Sequence, residues 1–275
     1  MVQNLMSAAT GTLDLTIAIV SHRHYRFLDA CLSAIYNNTN PRDVRFEVVL
    51  VDNVGEPEIE QLVSTRFPQV RLIVNQERKG FSANNNQVIL PSKARYSFLL
   101  NPDTMVQPGS IDTLVSFMDA HPRVGACGPR LMFPDGRLQL SCRQFPSIGS
   151  VLARRTPLRL LLRNSEVLRR YEMHDWDHGT QRSIDWLFGA AIVIRRETLE
   201  QVGGLDEDMF LFSEDVDWCL RCHQAGWDIW YVPDAVVVHD FDDVKYTRYF
   251  TRSRLLHYQS MSRFFRKHWR SCLHW

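Results

Sequence analysis

The sequence predicts an α/β fold: one mostly parallel, doubly wound sheet with helices on both faces, followed by a helical C-terminal region. Two observations carry this expectation. Between residues 15 and 133, short apolar runs rich in β-branched residues alternate with segments of helical period, the pattern of strand-helix-strand units. Two of the runs, 46–51 and 96–100, stop at turns that hold a carboxylate, Asp52 and Asp103. Ligands of open α/β sheets bind beyond the carboxyl ends of the strands, so two neighbouring parallel strands would set both acids on one rim. A chain of 275 residues with 45% hydrophobic content buries one large core or two modest ones.

Composition narrows the function classes. A net charge of +1 makes no case for a nucleic-acid partner. Six cysteines show no framework spacing, which points to a reducing compartment. Cys219 and Cys222 form one lone pair inside an expected helix, a weak basis for metal or redox chemistry. The N-terminus lacks a basic-then-apolar signal pattern, and no apolar stretch approaches the ~18 residues of a spanning helix. The expectation is a soluble protein or one bound at a membrane surface.

Taken in order, residues 1–12 read as a loosely attached lead. Residues 15–20 form the first strand, and Phe27, Leu28, Cys31, Leu32 and Ile35 recur at helical spacing over 25–38. The turn between them, Ser21-His22-Arg23-His24, has no glycine. That omission disfavours a dinucleotide site, whose first turn needs glycines for close approach to a pyrophosphate. The second strand ends at Asp52 and Asn53. Asp52 is either a turn residue or an acceptor for the N–H and O–H donors of a base or ribose.

A helix over 56–67 and a strand over 70–74 follow. Gly80 then permits a tight turn, Ser82 is a candidate N-cap, and Asn84, Asn85 and Asn86 begin a helix whose free N–H groups face an anion. Three adjacent asparagines are unfavourable in a helix and call for a local reason. The run at 96–100 leads through Asn101 and Pro102 to Asp103, a hard carboxylate beside a rigid turn, suited to a divalent cation with a phosphorylated ligand. The plainer alternative is that Asp103 only closes the turn. A helix over 110–121 and a strand over 124–133 end at the turn signature Pro134-Asp135-Gly136.

Residues 141–170 carry seven arginines against one acid, Glu166. They form either an ordinary surface helix or an insertion facing a membrane or acceptor. Residues 184–194 read as one long apolar strand interrupted by Gly189 and Ala190, small enough for another group to come close. After a brief helix over 197–202, the run 209–212 delivers Ser213 as an N-cap, with Glu214 and Asp215 in the first helical turn. The helix dipole favours acids there without any catalytic role. Asp217 and Arg221, four apart, pair along the helix. Two short strands, 227–232 and 235–239, are joined by Pro233 and Asp234, and His239 ends the second. A lone histidine there is structural unless another ligand shares its rim. Residues 245–275 hold eight lysines and arginines, no acid and an aromatic side. That region suits an anionic lipid surface or the head group of a lipid-linked substrate, or packs on the sheet with its charges in water.

Seven short matches in one order resemble family 2 glycosyltransferases, inverting enzymes of the GT-A fold. They are Ile17-Ala18-Ile19-Val20-Ser21, Val51-Asp52-Asn53, Gly80-Phe81-Ser82-Ala83-Asn84-Asn85, Leu100-Asn101-Pro102-Asp103, Asp185-Trp186 with Gly189-Ala190, Glu214 to Arg221, and Val238-His239. The Asn-Pro-Asp version is most similar to bacterial rhamnosyltransferases, which implies a dTDP-L-rhamnose donor and a saccharide or polyprenyl-diphosphate-linked acceptor in surface polysaccharide synthesis. The alternatives are a UDP-sugar donor or a sugar nucleotidyltransferase. A Gln-x-x-Arg-Trp signature of processive relatives is absent, which implies transfer of one sugar per binding event.

The resemblance also assigns roles. Ser21 and Asp52 would hold the base, and Gly80, Asn84 and Asn85 the ribose and phosphate. Asn101 and Asp103 would meet the diphosphate, with Asp103 and His239 binding Mg²⁺ or Mn²⁺. Asn101 stands where many relatives have Asp, which bears on metal dependence. Asp215 would be the general base, Glu214 would orient the acceptor, and Trp186, Gly189 and Ala190 would line the acceptor site. The implied organisation is a lead over 1–12, a GT-A domain over 13–240 and a basic amphipathic helical region over 241–275. Within the domain, residues 13–135 form the nucleotide-sugar half and 136–240 the acceptor half. The implied place is the cytoplasm or the inner face of the cell membrane. All of this requires residues 103, 215 and 239 to converge.

Overall fold

In a computed structural model describing residues 13–40, 42–147, 149–150, 165–241 and 252–272, the alternating runs become one mixed sheet. The N-terminal lead, most of the arginine-rich stretch and the start of the C-terminal basic region lie outside the described residues. Strands β1 (Leu15–Ser21), β2 (Phe46–Asp52), β3 (Arg71–Val74) and β4 (Tyr96–Leu100) alternate with helices α1 (Tyr25–Asn38), α2 (Pro57–Arg66) and α3 (Phe81–Ile89). Then come β5 (Thr104–Val106), α4 (Ser110–Ala120), β6 (Val124–Met132), β7 (Leu138–Gln139) and β8 (Cys142–Arg143). The second half contributes α5 (Glu166–Tyr171), β9 (Arg182–Ile184), β10 (Trp186–Leu187), β11 (Ala191–Arg195), α6 (Arg196–Val202), α7 (Glu214–Gln224), β12 (Asp228–His239) and α8 (Arg252–Cys272).

The strand order is β3-β2-β1-β4-β11-β6-β12-β5, with β7 on β6 and β9 on β12. β1 to β4 are parallel, β11 is antiparallel to both its neighbours, and β12 runs parallel to β6. Side chains alternate across the sheet. Ile17, Ile19, Leu50, Phe98 and Leu100 pack in one core with Leu28 and Leu32 of α1 and Leu114 of α4. Ala18, Val49, Leu99 and Ile192 pack in a second core with Val88 of α3, Trp218 and Cys219 of α7 and Phe264 of α8. The result is the helix-sheet-helix sandwich expected.

Four local expectations change. β2 and β4 are not neighbours: β1 lies between them, so Asp52 and Asp103 share a rim without touching. The expected strand over 184–194 is three pieces with three different partners: β9 pairs with β12, β10 with β8, and β11 with β4. The two strands around Pro233 are one, β12, whose register on β6 slips between Val232 and Val236; proline lacks the ladder N–H and is accommodated at such an irregularity. The three-residue β5, too short for a periodic signal, pairs antiparallel with the end of β12 and sets Thr104 opposite His239.

Candidate active site

Because β1, β2, β4, β6 and β12 share one direction, their carboxyl ends form a single rim. Asp103 lies just beyond β4. The pairing of β5 with β12 holds it beside His239, and the Asp240 N–H donates to the Asp103 carbonyl at 2.8 Å. Asp103 Oδ1 and His239 Nε2 are 3.4 Å apart. Both atoms are buried and neither has a hydrogen-bond partner among the described residues. The other ring nitrogen, His239 Nδ1, sits 2.8 Å from Gln139 Oε1. Two unsatisfied polar atoms facing one another under cover are costly unless something between them completes both. A carboxylate and an imidazole are a donor set that fits a divalent cation. No group of three or more His, Cys, Asp or Glu among the described residues is placed to hold a metal ion, so the rest of a coordination shell would come from ligand and water.

Glu214 and Asp215 open α7. Directly before them, Phe212 (φ 68°) and Ser213 (φ 69°) are consecutive non-glycine residues in the left-handed region, a conformation that costs energy and gathers at functional sites. Ser213 is the N-cap residue, as its spacing predicts, but its side chain makes no capping bond. Asp215 Oδ2 accepts from the Gly189 N–H at 3.1 Å and Oδ1 from the Val216 N–H at 2.9 Å. Burial pushes the Asp215 carboxyl up to about 6, against the pull of those two N–H groups. Burial, and then the Asp215 charge, push Glu214 well above the ordinary carboxylate range. Glu214 is 5% exposed and its Oε2 has no partner among the described residues. Both carboxyls are thus held above the ordinary range by burial, and Glu214 is raised further by the charge of its neighbour. Phe81, Gly189, Leu205 and Trp218 wall the pocket onto which both acids open.

Residues 189 and 190 join the two halves. Gly189 binds Asp215, and the Ala190 carbonyl accepts from the Asn101 N–H at 2.8 Å. Asp103 and His239 thus meet directly, whereas Asp215 reaches their rim through the Gly189-Ala190 turn. Asn101 is partly exposed on that rim, its carbonyl held by Thr104 Oγ1 at 2.6 Å.

Several residues expected to touch ligand have side chains that build the rim. Ser21 is fully buried, its carbonyl bonded to the Asn53 N–H and its Oγ facing the His24 N–H at 3.4 Å. The Asp52 carboxylate accepts from the N–H groups of Val54, Gly55 and Glu56 and is 1% exposed. The turn into α2 therefore explains it without a ligand. Gly80 has φ −72°, an ordinary value. Its need for glycine is space, since a Cβ would meet the Phe210 carbonyl oxygen at 2.9 Å. Ser82 is not the cap; its Oγ donates to the Met209 carbonyl.

The asparagines are cross-links. Asn84 Nδ2 donates to the Gly80 carbonyl and its Oδ1 accepts from Asn75 at 2.6 Å, while Asn53 bonds Asn75 and both backbone groups of Lys79. Asn85 donates to the Phe81 carbonyl, and Asn86 bonds the Leu205 N–H and carbonyl. Here is the local reason for three asparagines in a row. Trp186 is 6% exposed with its indole N–H on the Gln144 carbonyl at 2.8 Å; it packs the β8–β10 ribbon and offers no open stacking face. Cys219 and Cys222 are buried, and burial raises both thiols, Cys219 to about 12, so neither is a nucleophile.

Sequence reasoning missed Asn53 as the hub of the loop network and Gln139 as the partner of His239. Helix α8 is also less open than its charge implied. Met261 and Phe264 are buried, Ser260 Oγ donates to the Leu211 carbonyl, and Arg263 pairs with Asp208. Lys267 pairs with Asp206 at 2.6 Å and Asp217 at 2.8 Å, and His268 Nε2 lies 2.7 Å from Asp217 Oδ1. Asp217, fully buried, also holds Arg221 at 2.8 Å as its spacing predicts. Burial alone would raise its carboxyl, but His268, Arg221 and Lys267 bring it down to about 2. Tyr258, Arg266 and Trp269 remain exposed.

Comparison with known proteins agrees with this architecture. An N-acetylglucosaminyl-diphospho-decaprenol L-rhamnosyltransferase of Mycobacterium tuberculosis is 33% identical over 205 residues, covering 70% of this chain and 66% of that relative. Rhamnosyltransferase WbbL of Escherichia coli is 24% identical over 233 residues, covering 81% and 82%. The mannosyltransferase PcManGT of Pyrobaculum calidifontis, solved with GDP-Man and Mn²⁺, superposes at a TM-score of 0.63 with 20% identity, over 95% of this chain and 65% of its own. GalNAc-T7, solved with UDP, GalNAc and Mn²⁺, superposes at 0.61 with 16% identity, over 84% of this chain and 44% of its own. These likenesses show the GT-A fold. The chain spans just under two thirds of the first curated relative and of PcManGT, and less than half of GalNAc-T7. Residues 13–259 match the profile described as glycosyltransferase like family 2, and the chain belongs to that family.

Proposed function

We propose that this chain transfers one sugar, with inversion, from a nucleotide-diphosphate donor to a saccharide carried on a polyprenyl diphosphate, and that the donor is dTDP-L-rhamnose. The observation that carries the reading is the pairing on one rim of two unsatisfied ligand atoms, on Asp103 and His239, with a half-buried carboxylate pushed up to about 6, Asp215. The donor and acceptor classes rest on the relatives' names.

In this reading Asp103 Oδ1 and His239 Nε2 would hold Mg²⁺ or Mn²⁺. A divalent ion at such a site supplies Lewis-acid neutralisation of a departing diphosphate, worth several kcal/mol. Asp215 takes the proton of the acceptor hydroxyl as that oxygen bonds to the anomeric carbon and the bond from that carbon to the diphosphate oxygen breaks. Its position near 6 keeps it ionised at neutral pH while leaving it more basic than an ordinary carboxylate. The Gly189 N–H aims it. Glu214, whose carboxyl burial and the Asp215 charge push up, orients the acceptor hydroxyl. The network of Asn53, Asn75 and Asn84, with the turn fixed by Asp52 and Ser21, keeps the shape of the donor-side loop. No described helix is long and apolar enough to cross a membrane. The exposed Tyr258, Arg266 and Trp269 of α8 suit an anionic lipid surface at the inner face of the membrane.

The test is release of nucleoside diphosphate from dTDP-L-rhamnose and from a panel of UDP-sugars, with and without Mn²⁺. Release that rises with Mn²⁺ and with added lipid-linked acceptor supports the reading. Pyrophosphate consumption in place of release would convert it to a nucleotidyltransferase.

A further inference from the structure

We infer that Gln139 is a positioning residue that fixes the tautomer of His239, keeping the ring proton on Nδ1 so that the Nε2 lone pair faces Asp103. The inference rests on the reading of Asp103 and His239 as the cation site and extends it to a residue outside the rim.

Sheet register brings the two side chains together. Gln139 on β7 stands opposite Leu131 on β6, and Leu131 stands opposite Val237 on β12. Residues directly opposite share a sheet face, and His239, two beyond Val237, shares it too. Gln139 therefore reaches diagonally past β6 to the imidazole. The hairpin that sets this register is closed by Phe133 and Arg137, whose N–H and carbonyl bond at 2.8 Å, around Gly136 at φ 83°. A turn legible in the sequence thus decides which residue meets the histidine.

The chemistry follows from what an amide oxygen accepts. Gln139 is 5% exposed and His239 3% exposed, so neither can exchange its partner for water freely. With Gln139 Oε1 at 2.8 Å from Nδ1, the proton belongs on Nδ1. Nε2 is then a pure acceptor beside a carboxylate oxygen at 3.4 Å, and both lack a donor among the described residues. That is the orientation a cation ligand needs, with an outer partner on the opposite ring nitrogen. The reversed amide would put the proton on Nε2 and make Asp103 and His239 a closed hydrogen-bonded pair with no lone pair for a cation.

Two measurements test this. Long-range ¹⁵N–¹H spectra of histidine-labelled protein at about pH 8.5, two units above the ordinary histidine value, report the tautomer, with the His239 ring identified by its absence in His239→Asn. The expected spectrum has a protonated Nδ1 and a bare Nε2, and Gln139→Leu shifts the population toward the Nε2 proton. Calorimetric titration of Mn²⁺ into protein holding dTDP should show Gln139→Leu weakened by roughly 10–100-fold, and Gln139→Glu, which keeps the acceptor, close to wild type. A wild-type ring protonated on Nε2, or Mn²⁺ affinity and tautomer both unchanged in Gln139→Leu, overturns the inference. Wild-type protein with the Nδ1 proton but no Mn²⁺ binding would leave the Gln139 role standing and remove the cation reading instead.

Discussion

Replacing Asp215 with Asn should make the protein nearly inactive and at the same time remove a stability cost that wild type carries above about pH 6. Burial holds the Asp215 carboxyl at about 6 against an ordinary value of 3.8, so the folded chain binds a proton more readily than the unfolded chain between those values. A carboxyl raised in this way costs stability as pH climbs through the window, and the full cost is present above about 6. At roughly 1.4 kcal/mol per pH unit of displacement the upper bound is about 3 kcal/mol, and the partial exposure of Asp215 reduces it to roughly 1–2 kcal/mol. Asparagine carries no charge to bury, its Oδ1 keeps the Gly189 N–H bond while the Val216 N–H loses its side-chain acceptor, a pH-independent cost of about 1 kcal/mol, and the Glu214 carboxyl loses the neighbouring charge that helps raise it. The loss of a general base costs about 10²–10⁴ in turnover. Denaturant unfolding should therefore show the stability of Asp215→Asn relative to wild type rising by about 1–2 kcal/mol between about pH 4 and pH 8. Sugar-transfer rates should fall at least a hundredfold, and the wild-type rate should decline as pH drops through about 6. An Asp215→Asn variant that keeps more than a tenth of wild-type turnover, or whose stability difference does not depend on pH, refutes the assignment.

Other perturbations are as specific. Gly80→Ala forces a Cβ against the Phe210 carbonyl at 2.9 Å, a backbone contact that cannot swing aside; thermal unfolding should drop by the equivalent of about 1–3 kcal/mol, and an unchanged melt would mean the 209–213 segment is free to move. Asp217→Ala strips the common partner from Arg221, Lys267 and His268 and should cost about 3–5 kcal/mol, read by denaturation and by proteolysis within α8. The carboxyl of Asp217 is depressed to about 2, so its contribution is complete above about 4 and fades as pH falls through about 2; the gap between wild type and variant should close over that range. Trp186→Leu should lower stability by at least about 2 kcal/mol through lost packing and the lost Gln144 bond, with the KM for acceptor unchanged. A raised KM with an unchanged melt would restore Trp186 to the lining of the acceptor site.

Much of the donor-side half was legible because its signals are local. The alternation of β-branched runs with helical periods located β1 to β4 and α1, α2 and α4 within a residue or two, and helix propensity flagged the asparagines at 84–86 as needing a reason. The reason itself was not local: Asn86 is bonded to Leu205 and Asn84 to Asn75, partners no periodicity identifies. The rim acids divided the same way. Asp52 and Asp103 look alike in sequence, each closing a strand. Three backbone N–H groups fold back onto Asp52, whereas the turn at Pro102 leaves Asp103 Oδ1 facing His239.

The order of residues determined the strand-helix alternation, the acids at the strand ends, the hairpin turn at 134–136 and the pairing of Asp217 with Arg221, because each depends on neighbours within a few positions. Which acid is free, which asparagines are cross-links, that the basic helix α8 is held by acids of its own chain, and that Gln139 backs His239 were decided by the tertiary structure. Those properties depend on what lies across a strand or beneath a helix. Burial converts such contacts into charge state and hydrogen-bond direction, and burial is a property of the assembled fold.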